Sequence, residues 1–123
     1  MNNSVLMACK RASAAWKTAF NQQDAAGCAA QYGESTTMIA HPFGTFTSKE
    51  AIQSLWQDII DQGFNEVTYF DEIWEPAGEE GFILSAKWTM NKAFGSIQKE
   101  HWQIQSDGQA RLVFDEFTVE GER

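Results

Sequence analysis

The chain predicts a single α+β domain in which helices lie on one face of a curved, mainly antiparallel sheet. Three observations carry that reading. A length of 123 residues suits one core and is short for two ordinary domains. Up to Gly63 the apolar residues recur mainly every three or four positions, the period of a helix face. From residue 65 onward they alternate with polar ones, the period of a strand. Helices that come first and a meander that follows pack as two layers, and helices on a curved sheet leave a cone-shaped interior.

Residues 4–22 set Val5, Cys9, Ala12, Trp16 and Phe20 on one helical face, with Lys10, Arg11 and Lys17 elsewhere on the wheel. Asp24 is suited to cap a short second helix running to about Tyr32, with Gly33 as its stop. Thr36–His41 reads as a strand ended by Pro42. Alternation there puts Ile39 and His41 on one face, expected to be the inner one, and Met38 and Ala40 on the other. Thr47-Ser48-Lys49-Glu50 has the form of a capping box. The helix it opens carries Ile52, Leu55, Trp56, Ile59 and Ile60 as a stripe and closes at Gly63. Strands are expected over 67–74, 82–90, 98–105 and 111–120, with turns at 76–81 and 106–109. In the second of these Phe82, Leu84, Ala86, Trp88 and Met90 share a face. In the third, Trp102 and Ile104 oppose His101, Gln103 and Gln105.

Composition narrows the function. Five Trp and nine Phe are many for this length, and such rings line apolar ligand pockets as readily as they fill cores. The formal charge of −8, with no basic stripe, disfavours nucleic acid and anionic membrane surfaces as partners. No apolar run approaches the roughly 20 residues that span a bilayer, and the first residues lack the pattern of a signal peptide. Cys9 and Cys28 each sit among alanines, where a buried thiol is the default. A reduced, cytoplasmic protein is the expectation. Two distant histidines and two helical cysteines give no metal-ligand spacing, so no metal is expected. Neither a phosphate loop nor a nucleotide fingerprint is present, and no cofactor is implied.

Three motifs follow one another along nearly the whole chain: Trp16…Phe20…Asp24…Tyr32, then His41-Pro42-Phe43-Gly44 with Lys49-Glu50-Ala51-Ile52 and Trp56, then Trp102…Asp107-Gly108…Arg111-Leu112. Their order and spacing resemble the superfamily of ketosteroid isomerase, nuclear transport factor 2 and the SnoaL-like polyketide cyclases. The resemblance implies a cystatin-like cone with three N-terminal helices, and a homodimer formed through the sheet. In the isomerases the Asp of Asp-Pro-Phe-Gly is the general base, while a first-helix tyrosine and a protonated late-strand Asp form the oxyanion hole. The matching positions here are His41, Trp16 and Trp102. The base position thus holds a different base, and both acidic donors are replaced. Tyr32 matches a supporting tyrosine of the family, and Trp56 replaces another.

His41 is therefore the candidate catalytic residue, because an imidazole accepts protons near neutral pH. The competing reading is a structural histidine at the pocket mouth. Trp16 can donate its indole N–H to a ligand oxygen, although a core-filling role competes. Phe20, Tyr32, Ile39, Phe43, Trp56, Trp88 and Trp102 are the expected lining of an apolar pocket. One member each of Asp71/Glu72 and Asp115/Glu116 should face inward, which leaves open a buried carboxylate near His41. Three functions fit: a cofactor-independent isomerase, cyclase or lyase of a small apolar carbonyl compound with His41 as base; a binder of an apolar small molecule; or a dimeric protein-interaction domain.

Overall fold

The computed structural model describes residues 3–123, which form three helices and six strands. In α1, Asn3–Asn21, the stripe Val5, Cys9, Ala12, Trp16 and Phe20 is buried throughout. Asp24 caps α2, Ala25–Ala30, its carboxylate accepting from the Gly27 N–H at 2.9 Å. This helix stops short of Tyr32, which instead opens β1, Tyr32–His41, and Gly33 lies inside that strand. Tertiary pairing overrides the local pattern here: the Leu112 N–H donates to the Gln31 carbonyl at 2.8 Å and draws Tyr32 into register with Leu112.

A short edge strand, β2 (Gly44–Phe46), pairs antiparallel with β1 and was not disclosed by the sequence pattern. Ser48 caps α3, Lys49–Asp61, accepting from the Ala51 N–H at 3.1 Å. The cap thus sits one residue later than the Thr47–Glu50 box placed it, because Ser48 has the extended backbone that a cap requires. Gly63, at φ +91°, supplies the left-handed turn beyond the helix. Ile52, Leu55, Trp56, Ile59 and Ile60 form its buried face.

Four further strands complete the sheet: β3 (Thr68–Pro76), β4 (Gly81–Thr89), β5 (Ala93–Ile104) and β6 (Ala110–Glu122). The order is β2-β1-β6-β5-β4-β3, antiparallel except where β1 runs parallel to β6. Contacts of α1 with β4, β5 and β6, and of α3 with β1, put the core between the helices and one sheet face. The α+β class is as expected, and no helix among the described residues is long and apolar enough to cross a membrane.

Breaks in register decide which side chains enter the core. On β5, Ile97 pairs with Phe117 and Glu100 with Asp115, leaving Gln98 as an extra residue. On β6, Leu112 pairs with Trp102 and Phe114 with His101, leaving Val113 extra. Each bulge shifts the alternation by one position. Consequently Ile97, Glu100 and Trp102 are buried on β5, and Leu112, Asp115 and Phe117 on β6. The two carboxylates face each other across the strands, on the inner side.

The same register corrects the expectation for β1. Met38 and Ala40 pair with Asp115 and Phe117, which face inward, so they are the buried residues. Ile39 and His41 pair with Glu116 and Thr118 and lie on the outer face. Asp71 and Glu72 are also corrected. Both are exposed, because they occupy a bulge in β3 where Asp71 takes φ +53°.

Candidate functional site

A cavity of about 30 Å³ lies between α1, α3 and the sheet. A water needs about 15 Å³ on this measure, so the space suits one or two. Trp16 and Trp56 wall it from the helices, Tyr69, Trp88 and Phe117 from the strands. Glu100 and Asp115 complete the lining. A larger apolar depression of about 360 Å³ lies outside it, bordered by Phe43, Ile59, Phe64 and Val119. The two spaces share Trp56, Trp88, Met90 and Phe117 as common walls.

The carboxylates are held by aromatic donors. Glu100 accepts from Trp102 Nε1 at 3.0 Å on one oxygen and from the Tyr69 hydroxyl at 3.3 Å on the other. Asp115 Oδ2 accepts from the Tyr32 hydroxyl at 2.7 Å, and Tyr32 in turn accepts from Trp56 Nε1 at 3.3 Å. The indole can only donate, and of the two acceptors before the phenol, Asp115 at 2.7 Å and Met38 Sδ at 3.5 Å, the carboxylate is the nearer and stronger, so the phenol passes its own proton on to Asp115. Four buried polar side-chain atoms have no hydrogen-bond partner among the described residues, Asn65 Oδ1, His101 Nε2, Asp115 Oδ1 and Trp16 Nε1; the last two are an acceptor or the seat of a proton, and a donor. Of the four, Asp115 and Trp16 line the cavity.

Electrostatics follow from burial. Burial first, then the Asp115 charge, pushes Glu100 up to about 8, against the smaller opposing pull of Trp102, Tyr69 and Lys17. Burial raises Asp115 to about 7, against the Tyr32 hydrogen bond. Two carboxyls so close titrate as a pair, so near neutral pH they share one proton. Glu100 has the higher of the two values, but the hydrogen bonds favour the opposite placement of the proton. Both Glu100 oxygens already accept bonds, which favours the charge there, whereas Oδ1 of Asp115 is free to carry the proton. Burial, followed by the Asp115 and Glu100 charges, raises Tyr32 well above its ordinary value, and it stays a neutral donor.

No family model matches the chain and no curated protein matches it, but many solved structures share its shape. A ketosteroid isomerase-like protein from Erwinia carotovora atroseptica superposes with a TM-score of 0.82 at 12% identity, over 97% of this chain and 98% of that one. The chain has a cystatin-like fold. A protein of unknown function with a cystatin-like fold from Nostoc punctiforme gives 0.77 at 12% identity, over 90% and 87% of the chains. ActVI-ORFA from Streptomyces coelicolor gives 0.73 at 11%, over 89% and 93%. At such identities the likeness is one of fold.

Within this fold the expected site residues divide into groups. Trp16, Trp56 and Trp88 line the inner cavity, and Phe43 borders the outer depression. Phe20, Tyr32 and Trp102 are fully buried behind the cavity wall: Phe20 stacks on Trp16, and the other two hold the carboxylates. Ile39 lies on the outer face. His41 is also outside, its side chain 49% exposed and 2.9 Å from Glu116 Oε2. A base there cannot reach the cavity, because the sheet stands between. His101 lies opposite Trp102 on the outer face, as alternation required, and burial lowers its pKa.

Sequence reading overlooked Glu100. The signal was present: counting back two from Trp102 puts Glu100 on the same face. Asp115 was one of a pair left undecided, since the bulge at Val113 spoils a count from Leu112 and only a count from Phe117 gives the inward face. No group of three or more His, Cys, Asp or Glu suited to a metal ion occurs among the described residues.

Proposed function

We propose that the protein is a cofactor-independent acid–base enzyme of small, apolar carbonyl compounds, with Glu100 and Asp115 as its reacting pair in place of His41. One observation carries this reading: a buried pair of carboxyls sits beside a free Asp115 Oδ1 and a free Trp16 N–H, on the lining of one cavity. A carbonyl oxygen placed there meets two donors, the Asp115 hydroxyl and the indole. Both are fixed before the substrate arrives, so they stabilise negative charge on that oxygen without reorganising. Glu100, the charged partner, keeps a lone pair on each oxygen and is the base. It takes a proton from the carbon beside the carbonyl, and the C–H electrons move onto the carbonyl oxygen. Returning that proton to the same carbon, or to the far carbon of the dienolate where the substrate carries a neighbouring C=C bond, restores both the carbonyl and the carboxylate. Nothing else is consumed.

The test is hydrogen–deuterium exchange at the carbon beside the carbonyl of cyclohexanone, followed by NMR in D₂O. Wild-type protein should accelerate exchange, and Glu100→Gln should lose about 10²–10⁴-fold of that acceleration. Exchange no faster with wild type than with the variant would remove the catalytic reading. A second reading, a binder that does not turn its ligand over, is favoured by the small inner volume of about 30 Å³. Calorimetric binding of the ketone without exchange would select it. Pairing of two copies through the outer sheet face is compatible with both, since the carboxyl pair lies on the inner one.

A further inference from the structure

Met90 is the one residue common to three spaces: the inner cavity, the outer apolar depression, and a polar groove of about 550 Å³ that includes Asn21, Thr89 and Arg123. Its three companions in the wall between the first two are pinned. Trp56 donates to Tyr32, meets the Trp16 ring edge-on at 4.9 Å and stacks on Phe117 at 5.5 Å. Trp88 donates to the Ser96 carbonyl at 3.2 Å and lies against Gly95, where a Cβ would stand 2.5 Å from the indole. Met90 differs. Its backbone is anchored, with N–H to the Ala93 carbonyl and its carbonyl accepting from Arg123, both at 2.8 Å. Its thioether has no hydrogen bond holding it among the described residues, and an unbranched side chain with three rotatable bonds repacks readily.

The inner cavity holds the polar groups but has room only for a head group; the outer depression has the volume and apolar walls but, at its rim, carries the carboxylates Glu120 and Glu122. Those charges, on a chain of net charge −8, repel an anion. We infer that Met90 is the shutter between the two chambers, and that the ligand is a neutral, elongated molecule whose apolar body fills the outer depression while one oxygen passes Met90 to Asp115 and Trp16. This rests on the acid–base reading of the inner site and adds the residue that selects for ligand shape.

The experiment measures calorimetric affinities of 4-phenylcyclohexanone and of phenylcyclohexane, which lacks the oxygen, for wild type, Met90→Ala, Met90→Phe, Met90→Leu and Asp115→Asn. Widening the neck with Met90→Ala should tighten the ketone about tenfold and Met90→Phe should weaken it by a similar factor. Met90→Leu, close in volume, should behave as wild type and guards against a general packing defect. Asp115→Asn should reduce the preference for ketone over hydrocarbon, with the Trp16 N–H left to hold the remainder. Ketone binding that depends on Asp115 but is indifferent to residue 90 would overturn the shutter and leave the site standing. Equal affinity for ketone and hydrocarbon in wild type would overturn both.

Discussion

Asp115 and Glu116 are neighbours on one strand and meet opposite fates. Asp115 faces Glu100 behind aromatic walls, a pairing of like groups that is costly both across strands and out of water. Glu116 faces outward, 2.9 Å from His41, and both side chains remain substantially exposed. The outer pair is chemically the better match, an acid with a base. It nevertheless contributes little, because water and salt screen it and both side chains must be held still. The inner pair is a poor match, and its poorness is what makes it useful. Burial raises the pKa of both its members to near neutral pH. The difference teaches that protonation here is set by the surroundings of the group and not by its type.

The contrast can be broken in three ways, beginning with the largest effect. Asp115→Asn should cut ketone exchange by about 10²-fold, whereas Glu116→Gln, one residue along, should leave it within about twofold. Equal losses would mean that the two faces of β6 are not functionally distinct.

The next effect is on stability. Glu100 and Asp115 have folded-state values of about 8 and about 7, both above the ordinary carboxylate range. The folded protein therefore binds more protons than the unfolded chain between those limits, and stability falls as pH rises through them. Denaturant unfolding at about pH 5.5 and about pH 8.5 should differ by at least the ~1.4 kcal/mol that one pKa unit represents, with the acidic condition the more stable. Asp115→Asn should flatten that profile and raise stability at the higher pH, since an amide cannot charge and its NH₂ can donate to Glu100. A profile as steep as wild type would mean that the pair is solvated.

The smallest effect belongs outside. His41→Ala should cost less than about 1 kcal/mol, and the cost should shrink further in high salt. It should leave ketone exchange unaltered. Lost exchange in this variant would return His41 to candidacy and sink the inner-pair mechanism.

Most of the fold was legible along the chain. The stripes on α1 and α3 and the alternation of β4 each needed only a local period, because each buries a single continuous face. Tyr32 and Gly33 were misassigned to the end of a helix, since nothing local reveals that Leu112, far along the chain, reaches back to the Gln31 carbonyl. The face of His41 failed for a related reason. A strand's alternation gives two faces but not which one is inner, and β1 takes that choice from its parallel neighbour β6.

The site was legible only in its walls. The sequence by itself determined the class of fold, the aromatic content of the interior and the side chains on each face of β4, because these depend on short-range periodicity and total apolar volume. Only the tertiary structure decided that Glu100 and Asp115 face each other inside and that His41 stands outside. The physical reason lies in the bulges at Gln98 and Val113. A single extra residue in each of two adjacent strands resets the alternation and brings two carboxyls to the same point of the core, and pairing between distant segments fixes where that extra residue falls.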